Sequence, residues 1–214
     1  MIGPDSAFLV VLVGSIALGS FYRATARPAS DPDWIQLGAL FLVIAVPSLL
    51  QVTLFPALYD ALRRDAHLIE HHVQWWRLVT ALGVQDGGGA GALLNLASLA
   101  ILLLISAPIL SWRWVVGGFA VGALSGELAG LAWQHTGGGN SVGDMGICAA
   151  ILVLILFDGV WFLRLAALAV VIVGATILFH KDIHGAAFVS SVLAMVVVRA
   201  GPDVADRHRV AMPS

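Results

Sequence analysis

The sequence predicts an all-α protein, a polytopic bundle of membrane-spanning helices, and three observations carry that expectation. Of 214 residues, 59% are hydrophobic and 11% charged, and the mean hydropathy is +0.94, well to the apolar side of a soluble domain. Apolar runs recur along the whole chain, each close to the roughly 20 residues that a helix needs to cross a bilayer. Charged residues collect between these runs. The length suits one bundle of about six or seven spans, with short loops and no second large domain. With a net charge of −2 and scattered basic residues, no nucleic-acid partner is expected.

Seven runs qualify as spans: residues 6–22, 34–59, 90–110, 114–133, 141–157, 160–179 and 183–198. The first follows the leader MIGPDS, which carries Asp5 and no basic residue, while Arg23 and Arg27 come after it. That order fits an uncleaved anchor with its N-terminus outside better than a signal peptide, the competing account. After the second run, ALRRDAHLIEHHVQWWRLV (residues 61–79) alternates charged and apolar residues as an interfacial helix does, with tryptophans at headgroup depth. The fourth run places Gly118, Gly122, Gly126 and Gly130 at four-residue spacing on one helical stripe, where a neighbouring backbone can approach. Gly143 and Gly146 continue this in the fifth, and Ala186, Ser190 and Ala194 keep the same interval in the seventh. Glu127 lies at membrane depth, so it is either functional or paired with a polar group of the bundle. Cys148, the single cysteine, reads as a small buried side chain. Residues 201–214 form a polar tail, expected to be loosely ordered.

An N-terminus outside puts Arg23, Arg27, Arg113, Arg164, Arg199, Arg207 and Arg209 at cytoplasmic ends, against Arg63, Arg64, Arg77 and Lys181 opposite, the direction the positive-inside rule favours. Abundant Ala, Gly, Val and Arg with almost no Lys suggest a high-GC genome and hence a bacterial plasma membrane. One inference needs no orientation. Even numbers of crossings separate the 60–89 loop, the glycine loop before Ser141 and the segment FHKDIH, so all three emerge on one face.

That face carries the candidate chemistry. The stretch GGGNSVGDMG opens the fifth span, and Ser-Val-Gly-Asp matches a capping box in which Ser141 and Asp144 satisfy the first amides of a helix. The functional alternative makes Ser141 a nucleophile at a helix start, with amides and the helix dipole nearby to stabilise an oxyanion. A serine needs a base. His135, His180 and His184 are near the membrane boundary on the same face, and His184 alone opens a span, one rich in small residues. A separate motif, His67-Leu-Ile-Glu70-His71, has the spacing of inverted zinc peptidases, with His72 adjoining; no third ligand is evident, and no metal or other cofactor is expected.

In order along the chain, Trp76-Arg77 in a long loop, Asn95 early in the next span, Gly139-Asn140-Ser141 and His184-Gly185 resemble the rhomboid family of intramembrane serine proteases. The likeness covers about residues 34–198. It implies a rhomboid-like six-helix domain over residues 34–200, preceded by an extra helix and linker at 1–33. It further implies a catalytic dyad of Ser141 and His184, an oxyanion and substrate site around Asn95, Asn140 and Gly139, and a structural loop at Trp76 and Arg77. Substrates would be membrane proteins cut in or near their spans. Val142 stands where the family usually has glycine, and Gly91 where it has histidine, so a non-catalytic relative that binds membrane clients stays open beside the protease; a metal-dependent hydrolase using His67, Glu70 and His71 is the third reading.

Overall fold

The computed structural model describes residues 3–25 and 32–201. Along the chain run helices α1 (Pro4–Thr25), α2 (Trp34–Thr53) and α3 (Leu58–Leu62), strand β1 (Arg64–Asp65), then α4 (Ala66–His72) and α5 (Arg77–Thr80). They are followed by α6 (Gly88–Ser106), α7 (Trp112–Trp133), strand β2 (Thr136–Gly137), α8 (Ser141–Asp158), α9 (Trp161–Phe179) and α10 (Ile183–Ala200). Seven of these helices, α1, α2 and α6 to α10, are long and apolar enough to cross a membrane. The protein is an all-α multi-pass membrane bundle. The expectations for Arg27, Arg207, Arg209 and the polar tail lie outside the described residues.

Helix α8 is the hub. Within its membrane-length window 72% of the residues are buried, against 22–44% in the other spans, and α1, α6, α7, α9 and α10 surround it. Lipid offers no hydrophobic drive for helices to associate, so close packing of small residues has to supply it. The glycine stripe of α7 does this against α8. A Cβ on Gly118 would lie 2.7 Å from the Gly146 carbonyl oxygen, and one on Gly122 would lie 2.6 Å from that of Val142. Further along, Gly126 leaves room for the Val142 side chain and Ala187 of α10, and Gly130 for the guanidinium of Arg64.

Three expectations need correction. The second span stops at Thr53, six residues early, because Pro56 has no N–H to donate and its ring crowds the preceding turn; residues 58–62 form the separate α3. The third span ends at Ser106, just before Pro108, for the same reason. Residues 61–79 do not form one interfacial helix. Arg64 turns inward at β1, the Asp65 side chain caps α4 by accepting from the Leu68 N–H at 3.1 Å, and Val73 ends α4 in a left-handed conformation with φ of 59°.

Strand β1 pairs with β2, Arg64 opposite Gly137, which joins the loop after α2 to the loop before α8 at one end of the bundle, as the parity of crossings required. Arg64 and Glu127 are each 1% exposed and meet at 2.7 Å, and the Arg64 Nε–H also donates to the Gln134 carbonyl. Glu127 is therefore the partner of a buried arginine, and its role is structural. Arg77, also buried, donates to the carbonyls of Asp60 and Arg63 and to Gln74 Oε1, tying the loop together, while Trp76 faces outward.

Candidate functional site

The first turn of α8 is built by polar groups from distant parts of the chain. Asn140 is its N-cap residue and is fully buried. Its Nδ2 donates to both carboxylate oxygens of Asp144 and to the Asn95 carbonyl, each at 3.1 Å, and its Oδ1 accepts from Gln85 Nε2. Gln85, buried in turn, also donates from Nε2 to Ser48 Oγ, accepts at Oε1 from Asn95 Nδ2 at 2.7 Å, and has its backbone N–H on Gln51 Oε1. This network pins α2, the loop before α6, α6 itself and α8 together. The Asn140 side chain is spent within it and has no donor left for an oxyanion, which corrects its expected role.

The capping box at Ser141 is corrected too. Asn140 holds the cap position, Asp144 binds the Asn140 side chain, and the Ser141 hydroxyl is left to point elsewhere. It meets His184 Nε2 at 2.9 Å. The first backbone N–H of the α8 turn to reach a carbonyl is that of Asp144, on Asn140, so the amides of Ser141, Val142 and Gly143 have no acceptor within the helix. Val142, which stands where the family usually has glycine, packs between helices: its side chain is 1% exposed and lies against Gly126.

His184 is in the first turn of α10, where Asp182 is the N-cap. Asp182 Oδ1 accepts from the His184 backbone N–H at 2.8 Å and lies 2.7 Å from His184 Nδ1. Burial pushes the Asp182 carboxyl up, but its hydrogen bonds to His184 and that residue's charge outweigh burial and hold the carboxyl below the usual carboxylate range. An ionised carboxylate only accepts hydrogen bonds. Nδ1 therefore carries the proton, and in the neutral ring Nε2 presents its lone pair to the serine.

Ser141, His184, Asp182 and Asn95 line one cavity of about 380 Å³, and its remaining wall comes from Pro4, Asp5, Phe8 and Leu9 of α1. The Phe8 ring meets the His184 ring edge to face, with centroids 4.8 Å apart. Gly139, whose φ of +145° favours glycine, leaves the space between Asn95 and Ser141 clear; a Cβ there would lie 3.1 Å from Asn95 Nδ2. Around Gly91 the structure is open, with nothing within 4 Å of where a Cβ would stand.

Other candidates lie apart from this cavity. His135 is exposed and contributes its carbonyl to the Ala66 N–H, and His180 is the C-cap residue of α9. On α4 the rings of His67 and His71 are 4.9 Å apart and those of His67 and His72 5.6 Å, yet among the described residues no group of three or more His, Cys, Asp or Glu is placed to hold a metal.

Sequence reasoning missed Gln85, Ser48 and Asp182. A serine inside an apolar run, as Ser48 is, is a signal in itself, since polar groups at that depth need partners, whereas Gln85 stands in the loop before α6 and carries no such signal. An aspartate two residues before a helix-opening histidine reads as a cap and, with the histidine's ring considered, as its partner. No family model, curated protein or solved structure matches the chain.

Proposed function

We propose that this chain is an intramembrane serine protease of rhomboid type, which cuts other membrane proteins in or near their spans. One observation carries the reading: a serine hydroxyl 2.9 Å from Nε2 of a histidine, in a cavity at the head of the most buried span. As Ser141 Oγ bonds to a substrate carbonyl carbon, its proton passes to His184 Nε2, and the oxyanion meets Asn95 Nδ2 and the unpaired first amides of α8. Collapse breaks the C–N bond, Nε2–H returns its proton to the leaving nitrogen, and an acyl-enzyme remains for water to hydrolyse. The irregular glycine backbone before Ser141 is paired within the protein, the Gly139 N–H donating to the Ala81 carbonyl and the Gly138 carbonyl accepting from the Asp86 N–H, as non-helical backbone at membrane depth requires.

The test is labelling by a fluorophosphonate together with cleavage of a reporter membrane helix. Wild type labels at Ser141 and cleaves; Ser141→Ala and His184→Ala do neither. A wild-type protein that fails both assays yet co-purifies with membrane helices is the non-catalytic client binder instead. Activity lost to a chelator and to His71→Ala, but kept in Ser141→Ala, returns the assignment to a metal-dependent hydrolase.

A further inference from the structure

We propose that Asp182 is a positioning residue that turns the Ser141–His184 pair into a three-residue constellation, holding the imidazole in the tautomer and orientation that accept the serine proton. This deepens the serine-protease reading and rests on it.

Both ring nitrogens of His184 are engaged at hydrogen-bond distance, Nε2 by Ser141 at 2.9 Å and Nδ1 by Asp182 at 2.7 Å. The ring thus has one rotation that satisfies both ends. Its orientation is also tied to the backbone, because the same Asp182 oxygen accepts the His184 N–H and so fixes the carboxylate at the start of α10. Phe8 closes a third side of the ring. The side chains of His184 and Asp182 are only 23% and 19% exposed, so water competes weakly for Nδ1 and screens the pair little. When the serine proton arrives, His184 becomes an imidazolium with a carboxylate against its far edge. Throughout, Nδ1–H stays on the ring and Asp182 stays ionised. The carboxylate stabilises the cation and orients it without taking a proton.

A plain cap would explain the backbone bond but makes no use of Nδ1. Asparagine separates the two roles, since it caps a helix about as well as aspartate but carries no charge and can offer Nδ1 an N–H donor, favouring the wrong tautomer. In the purified full-length protein, Asp182→Asn is expected to keep a cooperative fold, its melting temperature at neutral pH lowered only by loss of the carboxylate's interaction with His184, and to keep the KM for a reporter membrane helix. Its kcat is expected to fall about a hundredfold or more, toward the roughly ten-thousandfold loss of a fully buried carboxylate. Asp182→Ser, another capping residue, behaves alike and stands in should the first variant not fold. Wild type is further expected to show a far-downfield Nδ1–H proton resonance, absent from both variants and from His184→Ala.

Wild-type kcat in a folded Asp182 variant, or no such resonance in the wild type, overturns the proposal. If wild type never labels at Ser141, the protease reading fails, and the resonance still decides whether Asp182 holds the ring. Labelling that persists at wild-type rate in Asp182→Asn sinks the positioning role alone.

Discussion

Gly122→Ala adds one methyl group where α7 and α8 touch, and its consequence follows from the distances. The new Cβ would stand 2.6 Å from the Val142 carbonyl oxygen and 2.9 Å from both N and Cα of Gly146, where ordinary contact begins at 3.4 Å. Relief requires the helices to part by about 0.8 Å, the difference between the two distances. Every one of these atoms is backbone, so no rotamer change can absorb the strain. Overpacking of this kind costs about 1–3 kcal/mol, and here it acts on the residue after Ser141. A shift approaching 1 Å at the serine, against a hydrogen bond of 2.9 Å, is expected to slow Ser141 labelling by about tenfold to a hundredfold. The neighbouring Gly117→Ala is the control, because its Cβ meets only Met195 Cε, at 4.0 Å; it is expected to hold or slightly raise stability, as alanine suits a helix better than glycine by about 1 kcal/mol. Thermal unfolding in one detergent and fluorophosphonate labelling read the two effects. Equal melting temperatures and labelling rates for the two variants would refute the close approach of α7 to α8.

Glu127→Ala leaves Arg64 buried and unpaired and is expected to cost about 3–5 kcal/mol, whereas replacing both residues by apolar ones of similar volume costs far less; the melting temperatures of single and double variants decide it. Asn95→Ala is expected to reduce turnover of the reporter about a hundred- to a thousandfold, the usual effect of losing an oxyanion donor, and an unchanged kcat would remove Asn95 from the site. The depressed Asp182 carboxyl contributes stability that is fully present above its unfolded value, near pH 3.9 by the usual carboxylate figure of about that size, and lost as pH falls through its lower folded value. Acid-unfolding curves of wild type and Asp182→Asn should therefore separate above about pH 4 and converge below it; parallel curves across that range would show that the carboxylate is not held by His184.

Much of the architecture is legible along the chain because the signals are local. Hydropathy marked seven spans, since crossing lipid demands an unbroken apolar run whatever the neighbours are. Its errors came at Pro56 and Pro108, where an apolar run continues past a residue that cannot continue the helix. Helical periodicity placed the α7 glycines on one stripe. Parity of crossings put Ser141 and His184 on the same face, which is a matter of counting.

Composition, periodicity and the order of the spans were determined by the sequence alone: an all-α membrane bundle, a glycine seam, and a serine and a histidine emerging on one side. Only the tertiary structure decided that Ser141 opens its helix free of capping duty, that Gln85 and Asn140 occupy the polar network beneath it, that Arg64 belongs to Glu127, and that Asp182 stands behind His184. Such contacts join residues far apart in the chain or depend on which way a ring turns. Hydrogen bonds act over about 3 Å, and no spacing along a sequence reports distances that short until the helices have packed.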